Sequence, residues 1–171
     1  TNGGTLDFNG SYMTGNTPVT VSGAGVSGQG ALYDSGGAVY GNLLNITLAG
    51  DTTFGGSARW DLATGSQISG PHNLTIDWAA GAGYGEWNTV TVGADVTGII
   101  LTNGNIGMKY MDTSFQNPGT VFTVSTNCQM TFWNGGFNGS IHILNGGLAY
   151  LWTAPAPFDG SNITLEQGAQ W

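Results

Sequence analysis

Hydrolysis of a glycosidic bond needs two carboxyl groups facing one another at a set separation. This chain offers ten carboxylates: Asp7, Asp34, Asp51, Asp61, Asp77, Asp95, Asp112, Asp159, Glu86 and Glu166. Asp34 and Asp61 are 27 residues apart, a spacing that would stack them if the chain winds with that step. Asp51, Asp77 and Asp95 each follow a strand-like run and read as turn formers. Elimination chemistry would also want a base or a charge stabiliser, and besides the histidines only Arg59 and Lys109 are basic. Arg59 lies two residues from Asp61, on the same face of a strand, and reads as half of a surface ion pair. His72 and His142 have no partners at metal-ligand spacing, so neither a metal nor a cofactor is expected. No calcium loop, nucleophile elbow or phosphate loop occurs.

The aromatic residues offer a different chemistry. Flat rings stack on the C–H faces of sugars, while amides and carboxylates nearby take the hydroxyls; such sites need rigid amphipathic side chains and little charge. The chain has six tryptophans and six tyrosines. Side chains alternate faces along a strand. An inward Leu32 therefore puts Tyr33 outside, and inward Met130 and Phe132 put Trp133 outside. Alternation from Leu74 and Ile76 would turn Trp78 inward, but it stands at a strand end. The glycine-rich stretch 79–87 after it reads as an irregular insertion carrying Tyr84, Glu86 and Trp87, and loops on a rigid scaffold commonly carry function. The expected stacking residues are Trp78, Tyr84, Trp87, Trp133 and Trp152, then Tyr33, Trp60 and Tyr110. Asp77, Glu86 and Asn88 are the expected hydrogen-bond partners.

Stacking rings need a scaffold, and repetition supplies it. Asn45-Ile46-Thr47-Leu48 returns as Asn162-Ile163-Thr164-Leu165. Looser copies begin at Pro18, Asn73, Thr89 and Ser140. A second family follows glycine-rich turns: Leu6, Leu32, Trp60, Met108, Met130 and Leu148 head its runs. Leu6 to Leu32 is 26 residues, Leu32 to Trp60 is 28, Val21 to Leu48 is 27 and Leu48 to Ile76 is 28. A degenerate strand recurring at coil-sized intervals is the mark of a solenoid, whose coils bury apolar side chains only against their neighbours. The 31 glycines and the absence of helical periodicity argue against helix. The predicted fold is a single right-handed parallel β-helix of six or seven coils over residues 1–171. A jelly-roll sandwich, the other all-β choice, would not explain the recurring step.

Charge narrows the partners. Charged residues are 7% of the chain and the net charge is −8, so neither nucleic acid nor an anionic membrane is an expected partner. A neutral partner fits. Cys128 is the sole cysteine, so no internal disulfide exists. The chain opens already in strand-like sequence, which reads as a module of a longer secreted or cell-surface protein, expected as a monomer.

The run from Gly30 to Asn105 resembles the autotransporter-associated β-strand repeats of large secreted bacterial proteins. Gly30-Ala31-Leu32-Tyr33-Asp34-Ser35-Gly36-Gly37, Ile46-Thr47-Leu48-Ala49-Gly50-Asp51-Thr52-Thr53-Phe54-Gly55-Gly56 and Leu74-Thr75-Ile76 carry the likeness, which implies a right-handed parallel β-helix. The tryptophan-rich, charge-poor composition is similar to that of the β-helical carbohydrate-binding modules attached to gut-bacterial xylanases. That resemblance implies non-catalytic binding of a neutral plant polysaccharide, xylan or a related β-1,4 glycan, on behalf of an attached catalytic domain. A passenger or stalk segment of a surface adhesin, with its aromatics buried as coil filler, is the competing expectation. A β-helical lyase or hydrolase using Asp34 or Asp61 is the third.

Overall fold

The computed structural model describes residues 3–78, 81, 83–109, 113–133, 137–152 and 162–170. It is a β-solenoid of about six turns with parallel stacked strands. Among the described residues there is no α-helix, and no helix long and apolar enough to cross a membrane.

Each full coil lays a strand on each of three ladders. The first ladder runs through Thr17–Gly23, the start of Leu44–Gly55, Gln67–Ser69, Thr91–Val92, Thr113–Phe115 and Phe137–Asn138. The second runs through Leu6–Asp7, Leu32–Tyr33, the end of Leu44–Gly55, Asn73–Asp77, Gly98–Asn103, Val121–Val124, Ser140–Ile143 and Asn162–Leu165. The third is a separate six-stranded sheet of Val39–Asn42, Trp60–Leu62, Tyr84–Asn88, Asn105–Lys109, Gln129–Trp133 and Leu148–Leu151. The strand Leu44–Gly55 bends from the first ladder into the second and joins them in one sheet.

In-register pairing stacks like on like. Leu32, Phe54, Ile76, Leu101, Val124 and Ile143 form one buried column through the core. Each such side chain is worth about 1.5–3 kcal/mol of burial, and only the coils above and below supply it. The corners need glycine where backbones meet. Gly30 has φ of +132°, and a Cβ there would lie 2.6 Å from Gly55 N and 2.8 Å from Leu32 O, so no other residue fits without moving the chain.

The coil step is less regular than the sequence families suggest, from 19 residues (Val124 to Ile143) to 29 (Gly23 to Thr52). Leu6–Leu32, Val21–Leu48 and Ile143–Leu165 are true register pairs. Leu32 stacks on Phe54 rather than Trp60, and Leu48 and Ile76 lie on different ladders. The two Asn-Ile-Thr-Leu copies likewise sit on different ladders. A strand sequence encodes inward and outward faces, and any side of the solenoid can use it.

Three of the expected stacking tryptophans, Trp60, Trp78 and Trp87, are instead buried in the core. Tyr33 is buried too, though it is not part of the core cluster. Trp60 packs against Phe8, Phe54 and Trp78 at ring-centroid distances of 5.1, 5.5 and 5.7 Å. Its indole N–H donates to Gly55 O at 2.7 Å. Trp87 meets Phe122 edge-on at 5.9 Å. Glycine makes the room: a Cβ on Gly85 would stand 2.7 Å from Trp78 Cζ2, and one on Gly56 3.3 Å from Trp60 Cδ1.

Candidate functional site

The outer face of the third ladder gathers the polar and aromatic groups that could meet a ligand. In Tyr84-Gly85-Glu86-Trp87-Asn88 the period of two is strict: Trp87 fills the core, while Tyr84, Glu86 and Asn88 belong to the outer side. The segment expected to be an irregular insertion is thus, from Tyr84 onward, a regular strand, hydrogen-bonded in register with Asn105–Lys109. Leu62 pairs with Trp87, which sets Asp61 beside Glu86 in neighbouring coils.

Arg59 ties these carboxylates together. Its Nη2 lies 2.7 Å from Asp61 Oδ2 and 2.8 Å from Glu86 Oε2, and its Nε donates to Asp61 Oδ1 at 2.9 Å. Asp61 also accepts the Glu86 backbone N–H at 2.8 Å. The Tyr84 hydroxyl donates to Glu86 Oε1 at 2.7 Å. The Arg59 guanidinium is sandwiched between tyrosine rings of the coils on either side, 4.9 Å from the Tyr40 centroid and 4.7 Å from that of Tyr84. Gly107 lies above Glu86 in register, and a Cβ there would collide with the Tyr84 hydroxyl. A bare position in the next coil therefore lets Tyr84 lean over to reach Glu86.

Burial sets the electrostatics. It pushes the Asp61 carboxyl above the usual range, outweighing the Arg59 bonds and charge that favour ionisation. Burial works against the Arg59 cation, yet Asp61 and Glu86 together hold its pKa above the ordinary value. Burial and then the bond to Glu86 push the Tyr84 phenol upward. Asp61 and Glu86 are both buried and spoken for, one guanidinium serving the two. The expected surface ion pair is therefore a buried network, and the expected stacking of Asp34 on Asp61 does not occur. Asp34 sits at a corner of the second ladder, accepting backbone N–H groups of Gly10 and Gly36.

Beside this network lies an open concavity of about 530 Å³, lined by Tyr40, Arg59, Asp61, Ala63, Thr64, Glu86 and Asn88. Farther along the same face, the indoles of Trp133 and Trp152 stack at 4.9 Å with planes 6° apart. Tyr150 stands edge-on to Trp152 at 5.9 Å. Trp152 is 57% exposed and Tyr150 43%.

Of the expected site residues, Trp133, Trp152, Tyr84, Glu86 and Asn88 share this face. Asn88 is half-buried, its Nδ2 donating to Leu62 O at 3.1 Å. Asp77 lies on the second ladder, where its carboxylate accepts the Asn103 amide at 2.9 Å. Trp60, Trp78 and Trp87 are interior and Tyr33 is covered by its neighbours, so none of the four can stack on an outside ligand. Tyr110 lies outside the described residues. Sequence reasoning missed Tyr40, Tyr150 and the bridging role of Arg59. Alternation in Val39-Tyr40-Gly41-Asn42 and Leu148-Ala149-Tyr150-Leu151 was the available signal for the tyrosines. Cys128 is buried. Among the described residues, no group of three or more His, Cys, Asp or Glu side chains could hold a metal ion. No protein-family model, curated protein or solved structure matches this chain.

Proposed function

We propose that this solenoid is a non-catalytic binding module for a neutral plant polysaccharide, xylan or a related β-1,4 glycan. In this reading it belongs to a secreted bacterial protein and holds an attached glycoside hydrolase on its substrate. The observation that carries the reading is the Trp133–Trp152 pair, stacked coil on coil at an exposed end of the third ladder with Tyr150 set against it. A rigid, amphipathic indole pair with a tyrosine set edge-on to it is suited to sugar C–H faces, with the phenol available to hydroxyls. The low charge of the chain favours a neutral ligand. The test is affinity electrophoresis in gels containing xylan, mixed-linkage β-glucan, mannan, pectin or no polymer. Retardation in one neutral glycan, abolished by Trp152→Ala, is the expected result.

A specific observation also favours the stalk or passenger reading: Trp60, Trp78 and Trp87 are core filler. Unchanged mobility in every gel would replace the binding module with that reading.

A further inference from the structure

We infer that the glycan lies along the solenoid axis, across the strands of the third ladder, and that the Tyr40–Arg59–Thr64 concavity is a second contact site at the far end from Trp152. This rests on the binding-module reading. Tyr40 and Tyr150 mark the two ends of one outward column. Tyr40 falls in the widened part of its strand opposite Asp61, between the register pairs Val39–Trp60 and Asn42–Leu62. From Asp61 the column continues through Glu86, Gly107, Thr131 and Tyr150. The two ends stand out, Tyr40 63% exposed. Between them Asp61, Glu86 and Thr131 are covered by their neighbours, Arg59 and Tyr84 over the two carboxylates and the Gln129 amide on Thr131. The column thus joins an exposed tyrosine at each end across a stretch that carries no projecting side chain of its own.

The far end is equipped for a hydroxylated ligand. Nε and Nη2 of Arg59 are consumed by Asp61 and Glu86, but among the described residues Nη1 has no hydrogen-bond partner and is not buried. The ion pairs fix the guanidinium, so Nη1 is a pre-positioned donor beside the Tyr40 ring, in a concavity that Thr64 also lines. Its charge is already compensated, which suits a sugar hydroxyl better than an anion. Six strands make up the ladder, and each coil rise of about 4.8 Å matches one unit of an extended β-1,4 chain, so the face accommodates about six units.

The test is calorimetric titration with xylo- and cello-oligosaccharides from dimer to octamer, on wild type, Tyr40→Ala and Trp152→Ala. Wild-type affinity should climb with length up to the hexamer and then level off. Tyr40→Ala should weaken hexamer binding about fivefold to tenfold, one aromatic contact's worth, and leave trimer binding unchanged. Trp152→Ala should weaken both. A plateau at the trimer, or hexamer binding indifferent to Tyr40→Ala, would overturn the axial arrangement while the Trp152 platform stood. Failure of wild type to bind any oligomer or any polymer would overturn both.

Discussion

Arg59 reaches out of its own coil to meet Glu86 in the next, its Nη2 2.8 Å from Glu86 Oε2. The same nitrogen holds Asp61 on its own strand. Arg59 thereby rivets two coils through two buried carboxylates and is worth more than a surface pair. Arg59→Met should remove the guanidinium that the two buried carboxylates share, costing about 3 kcal/mol, moderated because Arg59 is partly exposed. The urea unfolding midpoint measures this. Replacing all three residues with apolar ones of similar volume should recover most of the loss. A midpoint unmoved by Arg59→Met would mean that the rivet carries no load.

Gly107 is a second dependency of the same network. In Gly107→Ala the new methyl would meet the Tyr84 hydroxyl, with Glu86 Cγ at 3.0 Å. The ring must swing away and release its bond to Glu86, for a cost of about 1–2 kcal/mol. In a Tyr84→Phe background, which lacks the hydroxyl, the same substitution should cost less. A double-mutant cycle on unfolding free energies reads the difference, and strict additivity would refute the contact.

The described tryptophans divide by environment, and fluorescence can see it. Trp60, Trp78 and Trp87 are buried, so the native emission should be short in wavelength and poorly quenched by acrylamide. Among the described tryptophans, Trp152 should supply most of the quenchable, long-wavelength component. Trp152→Ala should reduce that component, whereas unchanged quenching would contradict its exposure.

Acid should loosen the first coil before the rest. Some burial opposes the Asp7 charge, but the Ser35 hydroxyl at 2.6 Å and the N–H groups of Ser35 and Asn9 outweigh it and hold the carboxyl below its ordinary value of 3.8. A depressed carboxylate binds its proton more readily when unfolded, so its contribution is complete above that ordinary value and is lost as pH falls through the folded one. Amide exchange at Leu6–Asp7 and Leu32–Tyr33 should therefore accelerate over that acidic window, and Asp7→Asn should flatten the response. An acid response in Asp7→Asn identical to wild type would assign the effect elsewhere.

The solenoid was legible because alternation and coil-length recurrence are local features of sequence. Leu6–Leu32 and Val21–Leu48 register pairs can be read directly from the spacing. Which side of the coil a given strand occupies was not legible, since Asn45–Leu48 and Asn162–Leu165 are alike in sequence and lie on different ladders. The site divided in the same way. Trp133 was placed outward by Met130 and Phe132 pointing in, and it lies beside Trp152 on the outer face. Trp87 was misread because glycines before it suggested a loop; its neighbours Glu86 and Asn88, both polar, already argued for an inward indole. That Gly85 and Gly56 hollow out space for Trp78 and Trp60 depends on contacts between coils, which no single strand records.

Parallel ladders also give the molecule a mechanical grain. The hydrogen bonds joining coils point along the solenoid axis, so tension along that axis loads a single coil boundary at a time. The outermost coil yields first. Among the described residues, the strand Asn162–Leu165 has a strand partner on one side only, and its Ile163 is 38% exposed where the matching Ile46 is fully covered. A pull across the axis, along the strands, would instead shear many bonds together. Attachment geometry, more than total stability, therefore decides the rupture force of such a module.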